Sequence, residues 1–461
     1  MAAVEGEVRR DMWGQPYRTS SADCAAALDA YYAATMAFGR GRGAAVLRAA
    51  AADPACVLAA TLAAHFVAPR DHAAAAAYLA AASDNLRGSI SPPSHLPFPT
   101  LNLWCALVRL QVKATDYERA VFRAFSALIG EEKDDELAIE RHFELLKEFP
   151  RDLMSLKRAQ LICFYKGLPE LSLKFVEQVL PENQDQDYIY GLLAFPLLEL
   201  GRMDEAETAA RKGLAINKND VWSQHNLCHV FQQECRFKEA TEFMESCSPS
   251  WTACTSFLLT HNWWHVAVCY LEGESPLCKV LEVYDENIMK ELERSDSEAA
   301  EVYLNALGLL LRLYVRGHID PAKERLKMLL DPLKDECAVN GHKEAASDAE
   351  GSPAEAVYEY GKGEDKKVFD TLGPDFDALG YKMIGASDEQ VDVFNEVWYT
   401  VIINARETSK AIEVLGKQIK KRDGAPFLWR LLDKAYSLDG RSADASVASD
   451  KANALQAAYF H

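Results

Sequence analysis

The chain has 461 residues, of which 49% are hydrophobic, and its formal net charge is -19. Its apolar content is ordinary for a folded protein, so wholesale disorder is excluded. The excess of acidic residues argues against sequence-independent binding to nucleic acid or to anionic lipid, because such binding needs a cationic surface. The eleven cysteines are scattered without a C-x-x-C pair. They favour reduced thiols and a cytoplasmic location.

An alanine-rich N-terminal helical cap is predicted for residues 1–113. A turn-rich arm leads into a helix that begins after Ser21 and ends before Gly39. Further helices are expected over residues 44–52, 54–66, 71–85 and 101–113. The longest apolar run, residues 55–68, is too short to span a bilayer, so no membrane association is expected.

A 34-residue period begins near Tyr117. Small residues recur at one offset, namely Ala138, Ser172, Ala206 and Ala240. In the same frame Gly167 and Gly201 fall at the turn inside each hairpin. This period with small residues at these offsets is the tetratricopeptide pattern. Residues 114–333 are therefore predicted to form a TPR-like repeat array. The expected fold class is all-α, a right-handed α-solenoid of TPR-like helix hairpins with helical caps at both ends.

The periodic pattern stops after residue 333. Residues 334–366 are polar and rich in glycine, alanine and glutamate, which predicts a flexible insert. Helices resume in a C-terminal helical segment, residues 367–461. Its first long helix carries Asp392 and Asn395 among apolar residues. One interpretation is that these two side chains close a groove from its far end. The other is that they place a negative charge near the N-terminus of the helix, where the helix macrodipole stabilises it.

The most distinctive motif is a pair of H-N-x-x-H pentapeptides spaced 36 residues apart. At 100° per residue, His225 and His229 share one helical arc with Asn226 and Gln233. On the second helix His261, Asn262 and His265 form a similar arc. Each pair lies on a face that its hairpin does not need for packing, and in a repeat array such a face lines the concave groove.

Three hypotheses follow for these residues. They form structural hydrogen bonds with neighbouring helices, contact a ligand or peptide, or use the four histidines (His225, His229, His261 and His265) for metal binding or acid–base catalysis. Imidazole pairs one turn apart suit zinc, iron or another borderline cation. However, neither copy has the glutamate of H-E-x-x-H, so the usual metalloprotease base is missing.

The leading functional hypothesis is a cytoplasmic TPR-type binding or scaffold protein. It would present its concave groove, with the histidine and amide residues and Asp392, to a protein segment or small ligand. No cofactor is expected, and no nucleic acid or membrane partner. The alternative is an enzyme, metal-dependent or acid–base, that uses the histidine cluster. A groove closed by the C-terminal helices would favour a small molecule, and an open one a peptide.

The segments WGQPYRTSSADC, EFPRDLMSLKRAQLICFYKG and DEQVDVFNEV, with the two histidine pairs, resemble the tetratricopeptide repeat protein 38 family. The resemblance covers most of the chain. It implies a helical-repeat fold and no defined reaction. It also implies a further helix hairpin between about residues 330 and 368, where this sequence has the polar insert.

Overall fold

The structure is a computed structural model that describes residues 7–87, 114–130, 133–339, 353–378, 380 and 387–460. Strands in this described part are confined to one antiparallel hairpin, β1 (Glu7–Arg10) and β2 (Pro16–Thr19). Asp11 organises the turn, because its Oδ1 accepts hydrogen bonds from the backbone N–H groups of Trp13 and Gln15. The predicted turn-rich arm is therefore a short β-hairpin.

The chain divides into two compact units, of which the first spans Met1–Ser223. Neighbouring helices in this unit pack in pairs, α1 on α2, α3 on α4 and α9 on α10. The end of the predicted N-terminal cap, residues 88–113, lies outside the described residues. The helices of the first unit are α1 (Ala22–Met36), α2 (Arg42–Ala52), α3 (Val57–Val67), α4 (His72–Arg87), α5 (Asp116–Ser126), α6 (Asp135–Glu148), α7 (Leu153–Tyr165), α8 (Pro169–Val179), α9 (Ile189–Glu199) and α10 (Met203–Ile216).

The predicted period coincides with the helix pairs. The four small residues Ala138, Ser172, Ala206 and Ala240 are all buried, as expected where two helices approach closely. Gly167 and Gly201 connect α7 to α8 and α9 to α10, and each has a positive φ, 64° and 72°. Glycine adopts this left-handed conformation without steric cost, which is why it ends these helices. The TPR-like hairpin pattern is confirmed.

The second unit spans Gln224–His461, and α11 begins just before it. Helix α14 (Leu277–Val283) continues into a π turn (Tyr284–Ile288) and a 3₁₀ turn (Met289–Glu293). The helices of this part are α11 (Val221–Gln233), α12 (Phe237–Cys247), α13 (Ser256–Glu272), α14 (Leu277–Val283), α15 (Ala299–Val315), α16 (Ile319–Val339), α17 (Pro353–Gly361), α18 (Asp365–Leu372), α19 (Asp388–Asn404), α20 (Thr408–Lys421), α21 (Pro426–Leu438) and α22 (Ser442–Phe460).

The structure describes residues 334–339 and 353–366 of the predicted polar insert, and it shows helices there instead of a flexible segment. Helix α16 runs on to Val339, α17 lies wholly inside the predicted insert, and α18 begins within it. Residues 340–352 lie outside the described residues. Both α17 and α18 pack on α19, so tertiary contacts supply the helix stability that a weakly periodic sequence lacks. Helices thus occupy part of the region where the family resemblance implied a hairpin.

The all-α fold class is confirmed. The predicted C-terminal helical segment contains α19, α20, α21 and α22. The two units differ from the four predicted segments, whose boundaries stay a prediction. Among the helices of the described residues, none combines the length and the apolar character needed to cross a membrane.

Candidate functional site: a buried histidine quartet

Helices α11 and α13 bring the four predicted histidines together in the second unit. One ring nitrogen from each of His225, His229, His261 and His265 lies within 4.8 Å of the others. The His225 ring centroid is 5.1 Å from that of His261, and the His229 centroid is 4.3 Å from that of His265. The predicted convergence is therefore observed, and we call these four residues the histidine quartet.

The sequence left open whether the groove lined by these histidines is open or closed, and the structure buries all of them. All four side chains are buried, with relative exposures between 0% for His265 and 3% for His261. Angular periodicity placed them correctly on one face of each helix, but that face is covered. The His261 ring, for example, is stacked against Phe257 and Trp264, with centroid distances of 5.2 and 5.4 Å.

Each Nδ1 atom of the quartet contacts a side-chain oxygen. His225 Nδ1 lies 3.0 Å from Asn262 Oδ1, and His261 Nδ1 lies 2.9 Å from Asn305 Oδ1. His265 Nδ1 lies 2.9 Å from Gln232 Oε1, and His229 Nδ1 lies 2.9 Å from Glu389 Oε2. These contacts fix the orientation of the rings. They also leave the Nε2 atoms of His225 and His229 facing each other at 3.0 Å.

Burial determines the charge state of three of the four rings. It holds the pKa of His225 and of His265 well below the usual histidine range, and neighbouring histidines lower both further. Burial also lowers the pKa of His261, to about 4, although the hydrogen bond of His261 to Asn305 opposes the shift. These imidazoles are therefore neutral at pH 7, the form in which a ring nitrogen binds a metal ion.

Glu389, which the sequence analysis missed, completes this shell. It lies on α19, and its Oε1 accepts a hydrogen bond of 2.7 Å from the predicted site residue Gln233. Burial alone would raise the pKa of Glu389, but His229 and Gln233 hold it at about 2. A signal was present, because Glu389 lies one turn before Asp392 on the same helix. Only the tertiary fold brings that helix to the quartet.

A buried ionic cluster is formed by side chains of α13, α15 and α19. Arg312 and Arg316 of α15 both contact Glu272 and Glu396, and these four side chains are at most 5% exposed. Arg312 Nη2 also donates to the backbone carbonyl of Glu389. Burial would raise the pKa of Glu272, but the surrounding arginines hold it at about 2.

The remaining predicted site residues divide between these two groups. Asn262 contacts His225 directly, and Asn226 is buried on α11. Asp392 is joined to the ionic cluster through Arg422, whose Nη1 lies 3.6 Å from Asp392 Oδ2 and whose Nη2 lies 3.3 Å from Glu272 Oε2. Its partner Asn395 accepts a hydrogen bond of 2.8 Å from the backbone N–H of Ala378. Asp392 is thus joined to arginine, and the carboxylate that reaches the quartet is Glu389.

Comparison with known proteins adds distant likenesses. No family model matches the chain. Among solved structures, a monomeric IFIT1 mutant with Gppp-AAAA aligns at 12% identity over 87% of this chain and 90% of that one, with a TM-score of 0.40. The human IFIT1 dimer with PPP-AAAA aligns at 16% identity over 87% and 90%, with a TM-score of 0.36. The P58(IPK) TPR domain aligns at 14% identity over 74% and 93%, with a TM-score of 0.23. The fold assignment accordingly rests on the helix pairs of this chain itself.

Proposed function

We propose that the second unit is a binding module whose ligand is enclosed at the histidine quartet. The burial of the four imidazoles is the observation that carries this proposal. A peptide in an open groove needs exposed contact residues, whereas an enclosed polar site suits a small ligand. The contact of Glu389 from α19 with His229 supports closure by a C-terminal helix.

The concentration of buried polar groups favours a ligand role over a purely structural one. Burying ionisable side chains is costly unless they are paired, and such clusters occur preferentially at functional sites. Here the quartet, Glu389 and the Arg312–Glu272 cluster lie on shared helices of one unit. A peptide partner elsewhere on the helical repeats, membership of the tetratricopeptide repeat protein 38 family and the exclusion of nucleic acid are separate proposals, which rest on the sequence.

Mass spectrometry of the untagged full chain tests the enclosed site. The mass under native conditions is expected to exceed the denatured mass by one bound species, and His261→Asn is expected to remove that excess. His142→Asn is the matched control, because His142 is also fully buried and its Nδ1 also contacts an oxygen, that of Ala138. Equal native and denatured masses, with a large stability loss in His261→Asn, would leave only a structural role for the quartet.

A further inference from the structure

We infer that the ligand enclosed by the quartet is a single first-row transition-metal ion of the zinc or copper type, bound by four imidazole nitrogens. This inference rests on the proposed function and names its ligand. One ring nitrogen of each histidine lies within 4.8 Å of the others. A tetrahedral ion with metal–nitrogen bonds of about 2.0–2.1 Å needs nitrogens about 3.3 Å apart. The 3.0 Å between His225 Nε2 and His229 Nε2 is already close to that distance.

The outer contacts select the Nε2 atoms as ligands. Asn305 Nδ2 donates to Thr260 Oγ1 at 2.9 Å and to the Glu301 carbonyl at 3.2 Å, so its Oδ1 is the atom that faces His261 Nδ1. The Glu389 carboxylate only accepts hydrogen bonds when ionised, and its Oε2 lies 2.9 Å from His229 Nδ1. With a proton on each of these Nδ1 atoms, Nε2 is the ring nitrogen left to bind a metal ion.

Two features of the inner atoms call for a cation. His225 Nε2 and His229 Nε2 lie 3.0 Å apart, so this pair requires a shared proton or a cation between its two nitrogens. His265 Nε2 is buried and has no hydrogen-bond partner among the described residues. A hydrogen bond between His225 and His229 would account for those two nitrogens but not for the buried Nε2 of His265. One ion at the centre of the quartet satisfies all these nitrogens.

The ligand set also limits which ion and which chemistry are expected. Imidazole nitrogen suits zinc, copper, iron and nickel, whereas calcium and magnesium require oxygen ligands. Four protein ligands complete a tetrahedral shell, as in structural zinc sites, while catalytic sites keep one position open. Glu389 contacts Gln233 and His229 through its two oxygens, so it orients a ligand and is not a free general base.

Metal titration of the untagged full chain, stripped with a chelator, tests the inference. We expect one equivalent of Co(II) to give the visible absorption of a tetrahedral site, and Zn(II) to displace it. Replacing histidine by asparagine keeps a donor near the Nδ1 position and removes Nε2. His261→Asn and His265→Asn are expected to weaken Co(II) binding at least about 100-fold, and Glu389→Gln about 10- to 100-fold. His142→Asn should bind like the wild type.

X-ray absorption of the zinc-loaded wild type gives a second test that needs no variant to fold. Four nitrogen scatterers at about 2.0 Å with imidazole outer shells are expected. Oxygen or sulfur ligands, or binding that the quartet substitutions leave unchanged, would overturn the inference. An organic species lost in the quartet variants, without bound metal, would overturn the metal assignment and keep the enclosed site. Absence of any bound species, with no Co(II) or Zn(II) uptake, would overturn both proposals.

Discussion

At the scale of single residues, the second unit is distinguished by charges that are buried and paired. Arg312 is 1% exposed, and it joins Glu272, Glu396 and the backbone of Glu389. These partners lie on two other helices, Glu272 on α13 and both Glu389 and Glu396 on α19. An isolated buried charge costs several kcal/mol, so the members of such a cluster depend on one another.

Arg312→Met is expected to destabilise the protein by about 3–5 kcal/mol, because it leaves the carboxylates of Glu272 and Glu396 short of a buried partner. The matched control is Arg325→Met, whose partner Asp285 is half exposed, and the expected cost there is at most about 1 kcal/mol. Chemical denaturation of the three proteins measures both values. Similar costs for the two variants would contradict a special role for the buried cluster.

His142 makes the stability of the first unit depend on pH. Burial lowers its pKa from 6.5 to about 4, so between these values the unfolded chain binds a proton that the folded chain does not. Stability from this residue is therefore full above pH 6.5 and falls as the pH drops towards 4, by about 3 kcal/mol in total. The stability advantage of the wild type over His142→Asn should shrink between pH 7 and pH 5 in thermal melts. A constant difference would show that His142 is not the responsible group.

At the scale of helices, close approach decides where a glycine is required. Gly213 lies on α10, and a Cβ atom there would meet Ser223 Oγ at 2.2 Å. Gly416 lies inside α20, where a Cβ would meet nothing within 4 Å. The two glycines look alike in the sequence, and the packing of neighbouring helices makes them different.

Gly213→Ala is expected to cost about 1–3 kcal/mol through overpacking. Gly416→Ala is expected to stabilise the protein by about 0.5–1 kcal/mol, because alanine is the better helix former and no clash offsets the gain. Thermal unfolding of the two variants gives the comparison. The opposite order of stabilities would mean that α10 and Ser223 are not packed as described.

At the scale of the whole molecule, the net charge of -19 governs contacts with polyelectrolytes. The full chain at pH 7.5 is expected to bind an anion-exchange resin and to pass through a heparin column in 0.15 M NaCl. The reason is that non-specific binding to a polyanion requires a cationic surface. Retention on heparin would reveal a basic patch strong enough to overcome the overall charge.

The sequence by itself determined the helix pairs and the faces that carry the histidines. Both follow from local rules, because a 34-residue period and a 3.6-residue turn can be counted along the chain. The burial of those faces, the arrival of Glu389 from α19, and helices α17 and α18 depended on the tertiary structure. These features arise from contacts between residues far apart in sequence, for example the 160 positions that separate His229 from Glu389. Periodicity shows which side of a helix is polar, but only long-range packing decides whether that side faces solvent or another helix.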